Sequence, residues 1–377
     1  MNLSLKIKLL IMFLVVALMP VAVAVSYASM TNTNDTKSQL FTTLRSVSKQ
    51  VSENYFAYLE ENGRIVLTTT VSLANSPASE WIYALESLKL EESVILAGIS
   101  DASGKVVLLT DPSKWTGSWT AVGADISGKA FFIQMRSGQE YPFSESEDAK
   151  VYYTMPFEDV VVSEKAKPLV VVFGKPFTGI DGNQYYLYMI SDWYDVAQNR
   201  LLVIQESLFG NIGSNIFTPE DNGNQIWADT NADRVNTFLH SSSFGEAWAF
   251  YQEVSVKRPE SLTLTSPDTK EYTLDGQGRF VAVCMAPFWY PYKIGFFACM
   301  TNPENVYEYI GSSTRQMLVV SGIIAIVTVA LSVIFTWNFS SKINRVVKEA
   351  IRIASGDLRA SASHEAGLKG REFDGKQ

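Results

Sequence analysis

The sequence predicts an α+β fold in which two membrane-spanning helices bracket one large folded region. Three observations support this prediction: an apolar segment lies near each end of the chain, basic residues flank both segments, and strand patterns alternate with helix patterns between them. The 377 residues are 47% hydrophobic and 19% charged, which is typical of a folded protein with membrane segments and excludes a disordered one.

The first apolar segment, residues 7–28, is long enough to cross a bilayer, which takes about 20 apolar residues in a helix. Lys6 and Lys8 lie at its start, so residues 1–6 are expected in the cytoplasm. A cleaved signal peptide is the alternative, because Ala22-Val23-Ala24 resembles a cleavage site. The apolar run exceeds the usual length of about 7–15 residues in signal peptides, which favours an uncleaved anchor.

A second apolar segment, residues 316–338, precedes the basic residues Lys342 and Arg345, so the tail 339–377 is also expected inside the cell. The region 29–315 is then extracytoplasmic, and the lipid bilayer is an expected partner of both spans. The chain carries −8 overall, with +2 up to Ala28 and +3 after Asn338, which leaves −13 for the middle. Such an acidic region argues against nucleic acid as a partner.

The region between the spans begins with a predicted helix over residues 30–62, where apolar residues recur at three- and four-residue steps and no helix breaker occurs. Short strand patterns follow, with turns at Ser103-Gly104 and Asp181-Gly182. Residues 195–210 have a helical pattern. The predicted strands are 106–109, 160–162, 169–173, 185–190, 280–285 and 294–299, and turns are also expected at Asn222-Gly223 and Asp275-Gly276.

These patterns predict two unequal lobes, a membrane-distal one at about 63–205 and a membrane-proximal one at about 206–305. The only two cysteines, Cys284 and Cys299, lie at equal distances from the turn of the last hairpin, so they are candidate opposite residues and a possible disulfide. The alternative is two small buried residues. Two cysteines and two histidines provide no zinc framework, and no metal, cofactor or catalytic apparatus is expected, so the chain is not predicted to be an enzyme.

One short segment of the first lobe combines charge with aromatic side chains. Lys129 precedes the adjacent pair Phe131 and Phe132. A cation beside aromatic faces can hold a small anionic or zwitterionic ligand. The alternative is a packed helix start that Asp125 or Ser127 caps.

The region between the spans resembles the double Cache family of extracytoplasmic sensor domains. Residues 125–132 fall where that family often has an Arg followed by a Trp-Tyr pair, Pro142-Phe143 falls near a Pro-Tyr position, and Asp192 falls near the family's Asp on the following strand. The resemblance implies a PAS-like double Cache domain with a long N-terminal helix and a small-molecule site. The implied ligand-binding residues are Asp125, Lys129, Phe131, Phe132, Phe143 and Asp192.

The tail resembles the first part of a HAMP linker, with one helix at Ile343–Ala354 and a second opening at Glu372-Phe373. This order of parts resembles a methyl-accepting chemotaxis receptor, whose output module would lie beyond Gln377 and would bind cytoplasmic signalling proteins. Apolar residues at 3-4 spacing within Ile343–Ala354 also predict a homodimer, because a partner chain would bury this seam.

Departures from the family pattern leave the ligand open. Lys129 stands where the family often has Arg, so planar bidentate recognition of a carboxylate is lost. Phe131, Phe132 and Phe143 stand where polar handles are frequent. An amino acid, a more apolar carboxylate and an amine are therefore all open. The sensor region of a histidine kinase, cyclase or phosphatase is one alternative, and a membrane-anchored partner-binding protein with a degenerate pocket is another.

Overall fold

The computed structural model describes residues 5–91, 93–111, 121–143, 149–158, 169–196, 199–200, 202, 205–207, 210–217, 225–236, 268–274, 277–285, 295–300 and 304–355. The chain divides into two compact units. One combines Met1–Asp35 with Ile310–Gln377, and the other is Thr36–Tyr309. The mixture of long helices and antiparallel sheets confirms the predicted α+β class.

Two long helices carry the apolar segments, α1 (Leu5–Ala74) and the last helix, Glu304–Ala354. Both are long and apolar enough to cross a membrane, and their most apolar stretches are not buried by other parts of the chain. Within the smaller unit, Phe13 and Phe335 meet edge to face at 5.3 Å, and the Asn32 side-chain amide donates to the Ser313 hydroxyl at 3.0 Å. The exposed apolar surface of this unit is of the kind that lipid covers.

We keep the predicted names membrane-distal and membrane-proximal for the two lobes. The sheet of the membrane-distal lobe is antiparallel, with strand order β2-β1-β7-β6-β4-β3 and β5 on β6. Helix α2 (Trp81–Leu88) precedes the sheet and α3 (Ala130–Arg136) lies between β2 and β3. The strands are β1 (Val94–Asp101), β2 (Val106–Leu109), β3 (Tyr141–Pro142), β4 (Lys150–Tyr153), β5 (Phe157–Glu158), β6 (Leu169–Thr178) and β7 (Gln184–Asp192).

The membrane-proximal sheet is also antiparallel, with order β10-β9-β13-β12-β11 and β8 on β9. The short helix α4 (Trp193–Val196) connects β7 to this half of the chain. The strands are β8 (Gln205–Ser207), β9 (Gly210–Phe217), β10 (Ile226–Asp229), β11 (Asp268–Leu274), β12 (Gln277–Met285) and β13 (Gly295–Met300), and the last helix is α5.

Helix α1 packs against both sheets along one apolar face. The Ser48 hydroxyl donates to the Phe296 carbonyl of β13 at 2.9 Å, and the Tyr58 ring meets Phe173 of β6 at 5.8 Å. The helical spacing predicted this face, and its buried residues include Leu40, Leu44, Val47, Val51 and Tyr55. The helix also extends twelve residues past the predicted end at 62, to Ala74.

The predicted turns that lie within the described residues are confirmed. Gly104 and Gly182 have φ of +93° and +78°, which glycine adopts without steric cost. The predicted strand 160–162, the turns at Asn222-Gly223 and Asp275-Gly276, and the tail from 356 onwards lie outside the described residues.

Two predictions are wrong. The helix expected over 195–210 is found only in part: α4 ends at Val196 and residues 199–200 have π-helical geometry, whereas residues 205–207 pair with β9, with Ser207 opposite Gly210. The cysteines are not opposite each other, since Cys284 pairs with Phe296 and Cys299 with Val281. A three-residue offset separates the Cα atoms by about 10 Å, whereas a disulfide needs roughly 4.4–6.8 Å.

Candidate functional site

The start of α3 places the predicted cation. Lys129 has an extended backbone (φ −75°, ψ 133°), and its carbonyl accepts the first helical hydrogen bond, from the Ile133 N–H at 3.0 Å. Lys129 is therefore the N-cap residue, not Asp125 or Ser127. Asp125 is exposed, and its carboxylate accepts the Ser127 N–H at 2.8 Å. Hydrogen bonds from Ser127 hold the pKa of Asp125 below its usual value, which indicates a turn-closing role.

The predicted aromatic pair on α3 lies in the core of the distal lobe. Phe131 and Phe132 are 4% and 0% exposed. Phe132 meets Tyr186 edge to face at 5.1 Å, and Phe131 lies 6.0 Å from Tyr188 in a tilted arrangement. These contacts fill the sheet face beneath α3, together with Met135. We refer to this side of the distal sheet as the α3 face.

Asp192 is the last residue of β7 and lies on the α3 face of the sheet. Tyr186, Tyr188 and Ile190 belong to the core beneath α3, and the two-residue period of a strand adds Asp192 to that series. Its register partner on β6, Val170, belongs to the same core. Asp192 is 9% exposed, so its carboxylate lies at the edge of this apolar core.

Phe143 lies elsewhere. A Cβ atom added to Gly63 of α1 would come within 2.3 Å of the Phe143 Cγ, so the Phe143 ring lies against the bare backbone of that helix. Helix α1 covers the sheet side opposite to α3, where Tyr58 meets Phe173. The structure therefore brings Phe131, Phe132 and Asp192 to one face of the sheet and separates Phe143 from them.

Sequence reasoning missed the polar atoms of the α3 face. The Tyr152 hydroxyl donates to the Gln134 side-chain carbonyl at 2.6 Å, and burial raises the pKa of Tyr188. Ser100, opposite Tyr186, is fully buried, and its hydroxyl has no hydrogen-bond partner within the described part of the chain. The tyrosines at alternate positions 186 and 188 of β7 could have indicated a buried face with polar tips.

A buried polar network lies behind Asp192, on the α1 side of the sheet. The Tyr58 hydroxyl donates to the Ser191 hydroxyl at 2.8 Å. Asn62 donates to the Tyr58 carbonyl at 2.9 Å and accepts from the Ser93 hydroxyl at 3.5 Å, while the Asp192 N–H donates to the Ser93 carbonyl at 2.8 Å. Burial raises the pKa of Tyr58, the Ser191 hydrogen bond lowers it, and the negative charge of Asp192 raises it further.

A second buried carboxylate, that of Asp229, lies at the end of β10 in the proximal lobe. Asp229 is 1% exposed and accepts the Asn231 N–H at 2.7 Å, while an Arg234 guanidinium nitrogen lies 3.8 Å away and the Asn215 amide 3.4 Å away. Burial raises the pKa of Asp229 to about 6, although these three groups lower it. A long ion pair with a partly exposed guanidinium offsets only part of the desolvation cost.

Comparison with known proteins gives structural matches alone. No family model matches the sequence, and no curated protein matches it. An extracellular ligand-binding receptor from Desulfohalobium retbaense is similar at a TM-score of 0.45 and 13% identity over 69% of this chain, which spans 40% of that receptor.

Two further matches are isolated sensor domains. The ligand-binding domain of Mlp24, solved with asparagine, is similar at 0.46 and 17% identity, with 73% of this chain and 98% of that one covered. The sensory domain of the Campylobacter jejuni chemoreceptor Tlp3 is similar at 0.47 and 13% identity, with 70% and 95% covered. These are the kind of domain that the resemblance predicted. All three TM-scores lie below 0.5.

Proposed function

We propose that this chain is a membrane signalling receptor with a double Cache sensor domain, whose distal lobe binds a small molecule beside Asp192. The observation that carries the proposal is a buried carboxylate at the end of β7, between β1 and β6 in the sheet, on the face that α3 covers. Burying a carboxylate at an apolar edge is costly unless a cation or hydrogen-bond donor meets it. A protonated amine of a ligand would join the groups that this carboxylate already meets in the folded chain.

The ligand class follows from the polar groups near the α3 face. Asp192 favours a ligand with a protonated amine, and Lys129 at the N-terminal end of α3 favours a carboxylate. The buried hydroxyl of Ser100 adds a donor or acceptor, and the aromatic rings of Phe131 and Phe132 favour an apolar body. A small amino acid meets all of these requirements, and an amine or an apolar carboxylate meets some of them.

Membrane placement and output belong to the same proposal. Both apolar helices would cross the bacterial inner membrane, with residues 29–315 outside the cytoplasm and the basic residues after 338 inside. The tail would begin a HAMP linker, and the output would be that of a methyl-accepting chemotaxis receptor. A reporter fused after Asn211 should be active outside the cytoplasm and one fused after Gln377 inside, whereas the reverse pattern would reject this topology.

A homodimer is part of the proposal because the cytoplasmic end of α5 carries unburied apolar residues. Val346 and Ile353 are 67% and 61% exposed. A partner helix would cover them. Single cysteines at 346, 350 and 353 should cross-link between subunits in membranes, while cysteines at 345 and 348 should not. Equal and weak cross-linking at all five positions would reject the dimeric seam.

A partner-binding protein with a filled pocket is the second candidate function. The complete burial of Phe132 and the contact of Phe131 with Tyr188 favour it, because side chains already occupy the space beneath α3. In that case Asp192 would be a structural residue, and no small molecule would stabilise the chain.

A thermal-shift screen of the full chain in nanodiscs separates the two candidates. The panel would hold the twenty L-amino acids, short carboxylates and small amines. A compound present at about 100 times its dissociation constant should add about 2.7 kcal/mol of stability. Asp192→Asn and Lys129→Ala should each abolish that shift while the chain remains folded without ligand.

The matched control is Asp181→Asn at an exposed hairpin turn, which should keep the full thermal shift. If Asp192→Asn responds to the stabilising compound as the natural chain does, the proposed site is wrong. If no compound on the panel stabilises the natural chain, the partner-binding candidate replaces the receptor.

A further inference from the structure

We infer that three consecutive residues, Ser191, Asp192 and Trp193, form a junction that couples the α3 face of the distal sheet to α1 and to the proximal lobe. This inference rests on the proposed function in one respect, that a ligand reaches Asp192. The junction itself consists of contacts among buried residues of this chain. Each of its three residues connects to a different part of the larger unit.

The first connection joins the junction to α1. The Ser191 hydroxyl accepts the Tyr58 hydroxyl at 2.8 Å, and Ser191 is fully buried. Since neighbouring residues of a strand face opposite sides of a sheet, Ser191 faces α1 while Asp192 faces α3. A movement of the β7 backbone at Asp192 therefore moves the group that Tyr58 binds.

The second connection closes a ring of hydrogen bonds at the same point. The Asp192 N–H donates to the Ser93 carbonyl at the start of β1, and the Ser93 hydroxyl lies 3.5 Å from the Asn62 side-chain oxygen. Asn62 in turn binds the carbonyl of Tyr58, one helical turn earlier. Two residues of α1 thus contact the end of β7 and the start of β1 together, within a buried polar network.

The third connection joins the junction to the proximal lobe. Trp193 is 1% exposed, and its indole N–H donates to the Trp227 carbonyl of β10 at 3.0 Å. Its ring meets Tyr55 at 5.9 Å and Tyr58 at 5.8 Å, both edge to face. Tyr55 also meets Phe296 of β13 at 5.6 Å. The residue after Asp192 therefore contacts α1 and the proximal sheet at once.

These contacts favour transmission of a β7 movement to α1 and the proximal lobe over an adjustment confined to β7. Buried hydrogen bonds are costly to break, because the groups left behind find no water. A close-packed core cannot absorb a shift of β7 by small deformations, so neighbouring elements must move with it. Helix α1 is continuous from Leu5 to Ala74 and includes the first apolar segment. A ligand that binds two arrangements of the junction with different affinities would therefore shift the equilibrium of α1.

Hydrogen–deuterium exchange of the full chain in nanodiscs tests the junction without any ligand. Asp192→Asn removes the charge that a cationic ligand would neutralise. We expect it to change exchange in the α1 peptide covering residues 50–64 by about fivefold, the low end of typical coupling between sites. In a Tyr58→Phe or Ser191→Ala background the same substitution should change exchange in that peptide by clearly less, because the hydroxyl pair that joins Ser191 to Tyr58 is missing while the contacts of Asn62 and Trp193 remain.

Tyr152→Phe is the matched control. It also deletes one tyrosine hydroxyl from a hydrogen bond in the distal lobe, but its partner is Gln134 on the other side of the sheet. In this background Asp192→Asn should still change exchange in residues 50–64. The use of both Tyr58→Phe and Ser191→Ala keeps the test valid if one variant fails to fold. If the effect of Asp192→Asn persists in full in both backgrounds, or is absent from the natural chain, the junction is refuted.

The outcome is distinguishable from that of the ligand screen. If no compound stabilises the chain but Asp192→Asn alters α1 exchange through Tyr58, the junction stands and the proposed ligand site fails. If a compound protects β7 and Asp192→Asn leaves α1 unaffected, the ligand site stands and the junction fails.

Discussion

Each lobe has a buried carboxylate at the end of a strand, and the two strand ends have different kinds of contact partners. Asp229 ends β10 and meets groups a few residues away, the Asn231 N–H and the Arg234 guanidinium. Asp192 ends β7, and its neighbour Ser191 binds Tyr58, which lies 133 positions earlier. The proximal carboxylate is thus met mainly by its own turn, with the Asn215 amide of the adjacent strand 3.4 Å away, whereas the end of β7 depends on elements that are distant in the sequence. Contacts within one turn stabilise that turn alone. Contacts between distant elements make the end of β7 sensitive to movements of those elements.

The largest effect should come from removing the long-range side chain beside Asp192. Trp193→Ala deletes a buried indole that contacts Tyr55 and Tyr58 and donates to Trp227. Truncation of a buried Trp typically costs about 3–5 kcal/mol. Urea unfolding of the full chain in nanodiscs, followed by circular dichroism, should show a loss of that size.

The control for this prediction is Tyr83→Ala on α2, an aromatic residue that is 74% exposed. Its free energy of unfolding should change by less than about 0.5 kcal/mol. A loss below about 1 kcal/mol for Trp193→Ala would mean that the lobes and α1 do not depend on this contact.

The second effect concerns Asp229 and pH. Burial raises its pKa from the ordinary 3.8 to about 6, so between these values the folded chain keeps a proton that the unfolded chain releases. The resulting stability is fully present below about pH 4 and is lost as the pH rises through 6, with a total of up to about 3 kcal/mol. Unfolding free energies measured from pH 4 to 7 should therefore fall with rising pH.

Asp229→Asn isolates this contribution, because the amide cannot ionise. The difference in unfolding free energy between the natural chain and this variant should change over pH 4–6 and stay constant above about pH 7. The carboxylates of Asp101, Asp125 and Asp181 have lowered pKa values, so their contributions are lost only below pH 4, as the pH falls. A pH-independent difference would show that Asp229 is not desolvated in the folded chain.

The same contrast explains how much of the fold could be predicted from the sequence. Features set by neighbours in sequence were predicted correctly, such as the buried face of α1 and the turns at Gly104 and Gly182. Strand pairing and its register were not, even between strands that follow each other in the sequence. The expected helix over 195–210 is replaced in part by a strand that pairs with β9, and the cysteines are offset by three residues in their register. Register depends on the partner strand, which no local pattern specifies.

The candidate site likewise contains features that local sequence pattern predicts and features that it does not. A helix start in this segment and the aromatic pair after it follow from local pattern, but the N-cap residue is Lys129 and not Asp125 or Ser127. Phe143 was grouped with them by resemblance, but its ring lies on α1 because Gly63 leaves space there. The hydroxyl pair of Tyr58 and Ser191 carries no local signal, since each residue is an ordinary member of its helix or strand.

The third prediction tests the long-range contact that separates Phe143 from the site. Gly63→Ala normally favours a helix by about 0.5–1 kcal/mol. Here the new Cβ would collide with the Phe143 ring, so we expect a loss of about 1–3 kcal/mol instead. Combining Gly63→Ala with Phe143→Leu should recover part of that loss in urea unfolding. A stabilised Gly63→Ala variant would return Phe143 to the list of possible ligand contacts.

The smallest effect should come from a purely local feature, the hairpin turn between β6 and β7. Gly182 has φ of +78°, and a Cβ added there would meet no atom within 4 Å. Gly182→Ala therefore introduces backbone strain without a steric clash, for an expected loss of about 1 kcal/mol. Gly128→Ala is the matched control, because that position has the same open space without a positive φ, and it should change stability by less than about 0.5 kcal/mol. Because the turn lies at the opposite end of β7 from Asp192, Gly182→Ala should leave exchange in residues 50–64 unchanged. If it altered that exchange as strongly as Asp192→Asn, coupling to α1 would be a general property of β7 and not of its final residues.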